Sequence, residues 1–339
     1  MDLDVLFVGT AGSAPTAGRG LPSLLVRRGG DRLLFDCGEG TQRQLLRSVG
    51  LIELEEIFVT HFHADHVLGL PGMLKTFALR GRERPLTIYG PPGLRDLFQA
   101  LRPIVGRPAY ELSLVELEPN EELERDGYRI AAFEVDHRVR AYGYAIVEDE
   151  RLGRFDEARA LELGVRPGPD FGRLHRGEPV PGADDTTVTP DQVVGEARAG
   201  RKIVLTGDTA PAPMTVAAAH GADLLVHEAT FSDEELDRAR ETGHSTARQA
   251  AELAREAEVK LLALTHVSPR HPGPLLRDEA RAVFERTIVP RDFDRVELPF
   301  PERGQPVHVK RPDGRGAKEG VPEPSAVDDQ SEPANPSGV

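Results

Sequence analysis

A single cysteine, Cys37, is all that the 339-residue chain contains. An intramolecular disulfide is thereby excluded, a thiolate-built metal site has no ligands to draw on, and a reducing compartment fits best. No apolar stretch approaches the ~20 residues that a membrane span needs, so the sequence predicts a soluble protein with no membrane partner. The first nine residues carry Asp2 and Asp4 and only a short apolar run, without the basic start or cleavage site of a secretory signal, and cytoplasmic residence is the resulting expectation. Positive charge is outnumbered, 42 Lys and Arg against 56 Asp and Glu. A formal net charge of -14 argues against a chain coated in cation for non-specific nucleic-acid binding, because phosphate contacts need local Lys or Arg. Between Lys75 and Arg107 the balance reverses, with seven basic residues against Glu83 and Asp96. That sector is either a surface on which RNA can rest or a set of solvated helix faces.

The length allows one large α/β domain or two modest ones, and either buries a core without staples. Strand-like runs fall at 3–8, 23–26, 32–35, 56–60, 86–89, 112–116, 128–135 and 141–147, and again at 202–206, 223–227 and 260–265. A helical segment spans 245–258. The two halves share a rhythm that predicts two sheets packed face to face with helices outside, an αββα sandwich over residues 1–311. Residues 148–190, rich in charge, Gly and Pro with one short helix at 156–163, read as an inserted flexible arm rather than core. Beyond Pro312 large apolar groups almost vanish, which predicts a disordered tail over 312–339.

The densest chemical signal is Thr60-His61-Phe62-His63-Ala64-Asp65-His66, directly after an apolar strand. Nitrogen and carboxylate donors at a strand end suit Zn²⁺, with a position left for water at a catalytic site. Three further donors also follow apolar strands: His137, Asp208 and His266. His61, His63 and His137 then make one coordination sphere and Asp65, His66 and His266 the other, with Asp208 as the bridging carboxylate of a two-metal hydrolase. Two Zn²⁺ per subunit are expected, with Mn²⁺ able to substitute.

These residues resemble the metal motifs of the metallo-β-lactamase superfamily over roughly residues 1–300. Within it, the stretches Phe7 to Pro15, Leu34 to Gln42 and Asp65 to Gly72 are similar to ribonuclease Z, the endoribonuclease family that removes the 3' trailer of precursor tRNA. The resemblance implies that Asp65 is also the general base. It implies that Glu228, in His227-Glu228-Ala229-Thr230, orients His244, in Gly243-His244-Ser245-Thr246, and that His244 protonates the departing 3'-oxygen. The segment from Arg166 to Leu174, with Gly168 and Pro169, resembles the tip of the arm that grips the tRNA elbow. Arg166, Arg173, His175 and Arg176 would supply phosphate contacts there, reading shape rather than sequence. A homodimer is implied as well, one arm reaching tRNA at the other subunit's centre. In Thr265-His266-Val267-Ser268-Pro269-Arg270-His271, Val267, Pro269 and His271 stand where the family usually has Phe, Ser and Tyr, while Arg270 remains as a phosphate contact. Read without the resemblance, Ser245 is the N-cap of the following helix, and His175, His220, His271 and His308 are ordinary surface or packing residues. A hydrolase of small phosphodiesters, sulfate esters or thioesters is the alternative, and a decayed, non-catalytic RNA-binding subunit the third reading.

Overall fold

The computed structural model describes residues 2–51 and 54–311, so the tail expected over 312–339 lies outside them. The first sheet is built from β1 (Leu3–Gly9), β2 (Ser23–Arg28), β3 (Asp31–Phe35), β4 (Glu56–Phe58), β5 (Leu86–Gly90) and β6 (Leu112–Glu116). The second begins with β7 (Glu122–Arg125), β8 (Tyr128–Glu134) and β9 (Tyr142–Glu148). A short hairpin, β10 (Val180–Pro181) and β11 (Thr187–Val188), lies in the arm. The second sheet resumes with β12 (Lys202–Leu205), β13 (Leu224–Glu228), β14 (Leu262–Thr265) and β15 (Thr287–Ile288). The chain then returns to the first sheet through β16 (Arg295–Glu297) and β17 (Val307–Val309), and β16 pairs antiparallel with β1, Val5 opposite Val296.

Each sheet has an antiparallel part and a parallel part, and the parallel strands read as unbroken apolar runs because both of their faces are covered. Val5, Phe7, Leu33, Phe35, Tyr142, Tyr144, Ile203 and Leu205 fill the space between the sheets. On the outer face of the first sheet, Leu6, Val8, Ile57 and Ile88 meet α1 (Thr41–Ser48), α3 (Gly69–Leu79) and α4 (Leu94–Val105). A one-turn helix, α2 (Ala64–Val67), precedes α3. The arm holds α5 (Glu157–Glu162) and α6 (Pro169–His175). The second sheet is covered by α7 (Pro213–Ala219), α9 (Ala247–Glu256) and α10 (Gly273–Arg281), with α8 (Leu236–Thr242) ahead of α9. Helix α9 turns Ala247, Ala250, Ala251 and Ala254 inward, small side chains that let it lie close on β13 and β14. The αββα sandwich expected from the periodicity is the fold.

Three buried charges tie the layers together. Glu148 at the end of β9 accepts from Arg28 Nε of β2 at 2.9 Å and from Arg201 Nε and Nη2 at 2.7 and 2.8 Å. Arg201 also donates to the Leu298 carbonyl, and its guanidinium lies 4.0 Å from the Phe300 ring centre. Burial pushes the Glu148 carboxyl up, and the two arginines more than reverse it, so its pKa sits below the ordinary value. Removing one partner would strand two buried cations, and Glu148→Ala is expected to cost about 3–5 kcal/mol, read as a lower urea midpoint.

The inserted arm holds more structure than its composition predicts. Helix α6 starts where Gly168 leaves the extended chain and Pro169 occupies the first turn. Ala160, Val165, Leu174, Val180, Val188 and Val193 form a small core of their own, with Phe155, Phe171 and Val194 against it. This packing continues to Val194, a few residues past the stretch that composition marks. Arg151 and Arg198 exchange backbone hydrogen bonds at 2.7 and 2.8 Å at the arm's root, and both side chains pair with Glu302.

Candidate metal centre

Just past β4, Val59 N still donates to the Tyr89 carbonyl at 2.8 Å, and at Thr60 the chain is claimed by another group. Thr60 N and Oγ1 donate to Asp36 Oδ1 and Oδ2 at 2.8 and 2.9 Å, turning the chain so that His61, His63, Asp65 and His66 follow one another around the start of α2. His61, His63, His137 and Asp208 offer ligand atoms that all lie within 4.8 Å of one another. His61 Nε2 is 2.9 Å and His137 Nε2 3.3 Å from His63 Nδ1. Asp65, His66 and His266 form a second such group, and Asp208, His244 and His266 a third. Asp208 faces both sides: Oδ1 is 3.4 Å from His66 Nε2, and Oδ2 is 3.3 Å from His266 Nε2 and 3.7 Å from His61 Nε2.

The chemistry of this cluster fits divalent metal. His66 Nε2 and Asp208 Oδ1 are buried without a hydrogen-bond partner, an arrangement that is costly unless something else satisfies both. Burial and the adjacent His66 ring hold His61 well below the ordinary imidazole range, which keeps it neutral with a lone pair to give. Burial opposes charge on His66 too, yet Asp208 and Asp36 outweigh it and raise this ring well above its ordinary value, a pocket that draws positive charge. For Asp65, burial works against ionisation, but His266 and His66 prevail and hold the carboxyl below its usual range. Asp65 Oδ2 is further fixed by the Ser13 backbone N–H at 2.9 Å.

The other ring nitrogens are held from behind, which sets their orientation. His66 Nδ1 meets Asp36 Oδ2 at 2.7 Å, His137 Nδ1 the Gly243 carbonyl at 2.8 Å, and His266 Nδ1 the Thr230 hydroxyl at 2.8 Å. Asp36, Thr60 and Thr230 were given no role by the sequence reading. Asp36 and His266 both adopt left-handed backbone, φ 57° and 55°, strain of the kind that collects at functional sites. The loop from Thr10 packs so tightly on this side that a Cβ at Gly12 would lie 2.4 Å from His266 Nδ1.

His244 lies beside Asp208 and His266, with Glu228 behind it. His244 Nδ1 is 2.6 Å from Glu228 Oε1, whose carboxylate is clamped by Thr209 N, Thr230 N and Thr230 Oγ1. Burial lowers the His244 pKa, but Glu228 and then Asp208 overcome it, and the imidazole is pushed up to about 9. Ser245 is not the helix cap. Thr246 caps α9 in a reciprocal box with Gln249, while Ser245 Oγ donates to the Thr209 carbonyl at 2.7 Å, because two turns of chain must be tied together behind His244.

Of the expected phosphate contacts, Arg270 is half exposed beside this centre and pairs with Glu235 at 3.3 Å, an acid it shares with His271 at 2.6 Å. Gly168, Pro169, Arg166 and Arg176 are exposed on the arm. Arg173 is engaged by Asp170 and Glu178, Arg176 lies 3.6 Å from Glu178, and His175 Nε2 turns to the Gly153 carbonyl. In the basic sector, Arg82 is spent on the Leu54, Arg84 and Pro85 carbonyls and Arg95 on Glu116.

Against known proteins, the profile of the metallo-beta-lactamase superfamily matches residues 18–266. A ribonuclease Z from Halorubrum lacusprofundi is 50% identical over 307 residues, covering 89% of this chain and 99% of the relative. The chain belongs to the ribonuclease Z family. A second ribonuclease Z, from Haloferax volcanii, is 46% identical over 94% of this chain and all of the relative. Among solved structures, the short form of human tRNase Z superposes with a TM-score of 0.64 at 28% identity, covering 87% of this chain and 99% of that one. Like other members of the ribonuclease Z family, the chain is a metal-dependent endoribonuclease with His/Asp clusters at the loop end of its two sheets. Among the described residues no helix is long and apolar enough to cross a membrane.

Proposed function

We propose that this member of the ribonuclease Z family removes the 3' trailer of precursor tRNA with two Zn²⁺ ions per subunit, leaving a 3'-hydroxyl on the tRNA and a 5'-phosphate on the trailer. The observation that carries the reading is the side-by-side pair of ligand sets sharing Asp208, with the His244–Glu228 pair against them. In this reading His61, His63 and His137 hold one ion, Asp65, His66 and His266 the other, and Asp208 faces both. Bound zinc supplies Lewis-acid polarisation of the phosphodiester and acidification of a water. The chain does the rest. Asp65, kept ionised and fixed through Oδ2, takes a proton from the attacking water. His244, held through Nδ1 by Glu228, presents Nε2 and gives its proton to the departing 3'-oxygen.

The arm suits recognition at a distance. It leaves the second sheet from the ends of β9 and β12 opposite the metal centre, and the seven residues from Arg201 to Asp208 span at most ~23 Å. Residues 148–190 carry ten acids and six bases, and three of the six, Arg166, Arg173 and Arg176, lie on or beside α6. An arm rooted at the end of the sheet opposite its own centre favours tRNA gripped across a homodimer. Excising Phe155–Val194 behind a short linker should leave fold and metal content intact, because Arg154 and Gly195 already share a backbone hydrogen bond of 2.9 Å. The expected result is a higher KM for precursor tRNA, a shallower salt dependence of binding, and unchanged turnover of a chromogenic phosphodiester. Equal loss on both substrates would instead make the arm part of the catalytic fold. The reading as a whole is tested by incubating zinc-loaded protein with a tRNA carrying a 3' trailer and mapping both ends of the cut. Turnover of small esters with no cut in the RNA would favour the small-molecule hydrolase.

A further inference from the structure

On one flank of the sandwich two clefts of about 840 and 760 Å³ run into each other, sharing Gly18, Arg19, Asp292 and Arg311 in their walls. Six exposed cations line them: Arg43 and Arg47 from α1, Arg281 from α10, and Arg291, Lys310 and Arg311 from around β16 and β17. In a chain of formal charge -14 such a concentration stands out. The acids in the same walls are turned inward. Asp292 accepts from Thr10 Oγ1, Gly20 N and Gln44 Nε2, and Asp294 from His308 Nε2, Arg291 N and Arg311 N, so their charge is spent on holding the walls. Glu39 is the remaining acid on the lining. Arg43, Arg291 and Lys310 have no side-chain partner among the described residues, whereas Arg47 and Arg311 lie over the Phe293 ring at 5.3 and 4.5 Å.

The groove is joined to the metal centre by two short stretches of chain. Ser13 N holds Asp65, and Arg19, six residues on, is part of the groove wall, a separation of at most ~20 Å along the chain. On the other side, α10 begins seven residues after His266 and brings Gly273 into the same wall. A furrow of outward cations that starts beside the reacting centre has the chemistry to hold successive phosphates of one strand.

We propose that this groove is a second phosphate-backbone site, which takes the single-stranded RNA running away from the cleavage point. The proposal rests on the nuclease reading for its substrate, but the binding it asserts can be measured alone. The variant Arg43→Gln/Arg291→Gln/Lys310→Gln touches no residue of the catalytic machinery. Fluorescence anisotropy with a labelled single-stranded oligoribonucleotide, on the zinc-loaded protein, should show about tenfold weaker binding near physiological salt. The slope of log affinity against log salt should fall by about 2, since each lost single-strand contact is worth ~0.7. In cleavage assays, the parent should have a lower KM for a long trailer than for a one-nucleotide trailer, and the variant should lose that difference at unchanged kcat. Weakened oligonucleotide binding by the variant supports the groove even if no tRNA is cut, in which case the nuclease reading alone fails. Unchanged anisotropy overturns the proposal and leaves the cations to an acidic protein surface. An equal rise in KM for both trailer lengths also overturns it, by placing the contacts on the body of the tRNA.

Discussion

Asp65→Ala protein is expected to cut precursor tRNA several orders of magnitude more slowly than the parent while binding it nearly as well. Loss of a general base alone removes ~10² to 10⁴ in rate, and Asp65 is also one of three donors of the second ligand set. The ionised carboxylate lies 3.3 Å from His266 and 3.7 Å from His66, so its removal leaves Asp208 to balance both rings. The arm tip and the flank groove are untouched by the change, which is why affinity should persist. Single-turnover cleavage and a binding isotherm on the same preparation separate the two quantities, with zinc content measured alongside. Near-parental cleavage would falsify the dual role.

The second large effect belongs to His244. As the proton donor to the leaving 3'-oxygen, His244→Ala should slow tRNA cleavage by ~10² to 10⁴. It should spare a nitrophenyl phosphodiester, whose leaving group departs without a proton. The split between substrates is the diagnostic. His244 also stands 3.9 Å from Asp208 and stacks on His266 at 5.4 Å, so a variant that loosened the metal centre would lose both activities together. Glu228→Gln should reproduce the same split, since it keeps the size of the side chain but removes the charge that holds the His244 proton and sets its NH2 against a donor of the clamp made by Thr209 and Thr230.

Much of this centre was legible because its donors sit one after another. His61 to His66 occupy six consecutive positions, and His137, Asp208 and His266 each end an apolar run, so strand periodicity alone brings them to one edge. Asp36 was not legible in that way. Its role arises because β3 and β4 are parallel neighbours with Phe35 opposite Phe58, which sets the residues just past the two strand ends side by side. An acid one step beyond a buried strand was the available signal. The Arg28–Glu148–Arg201 cluster joins positions 120 and 53 residues apart, and no local pattern announces such a pair. The arm's small core escaped notice because its apolar residues follow no period. The cations are read differently along the chain and in the fold: in the sector from Lys75 to Arg107, Arg82 and Arg95 are occupied locally, whereas Arg43, Arg291 and Lys310 meet only in the fold.

The return of β16 and β17 to the edge of β1 has a consequence for the order in which the enzyme becomes active. A polypeptide emerging from the ribosome has made His61, His63, Asp65, His66 and His137 well before Asp208, His244 and His266 exist. Its opening strand has only one neighbour until residues 295–297 arrive. A nascent chain that stops short of Asp208 therefore carries five of the seven proposed ligands and an open first sheet, without the carboxylate that faces both ligand sets or the His244 imidazole. The ligand sets are complete in the chain once His266 has been made, whereas the first sheet gains its second neighbour for β1 only when β16 arrives.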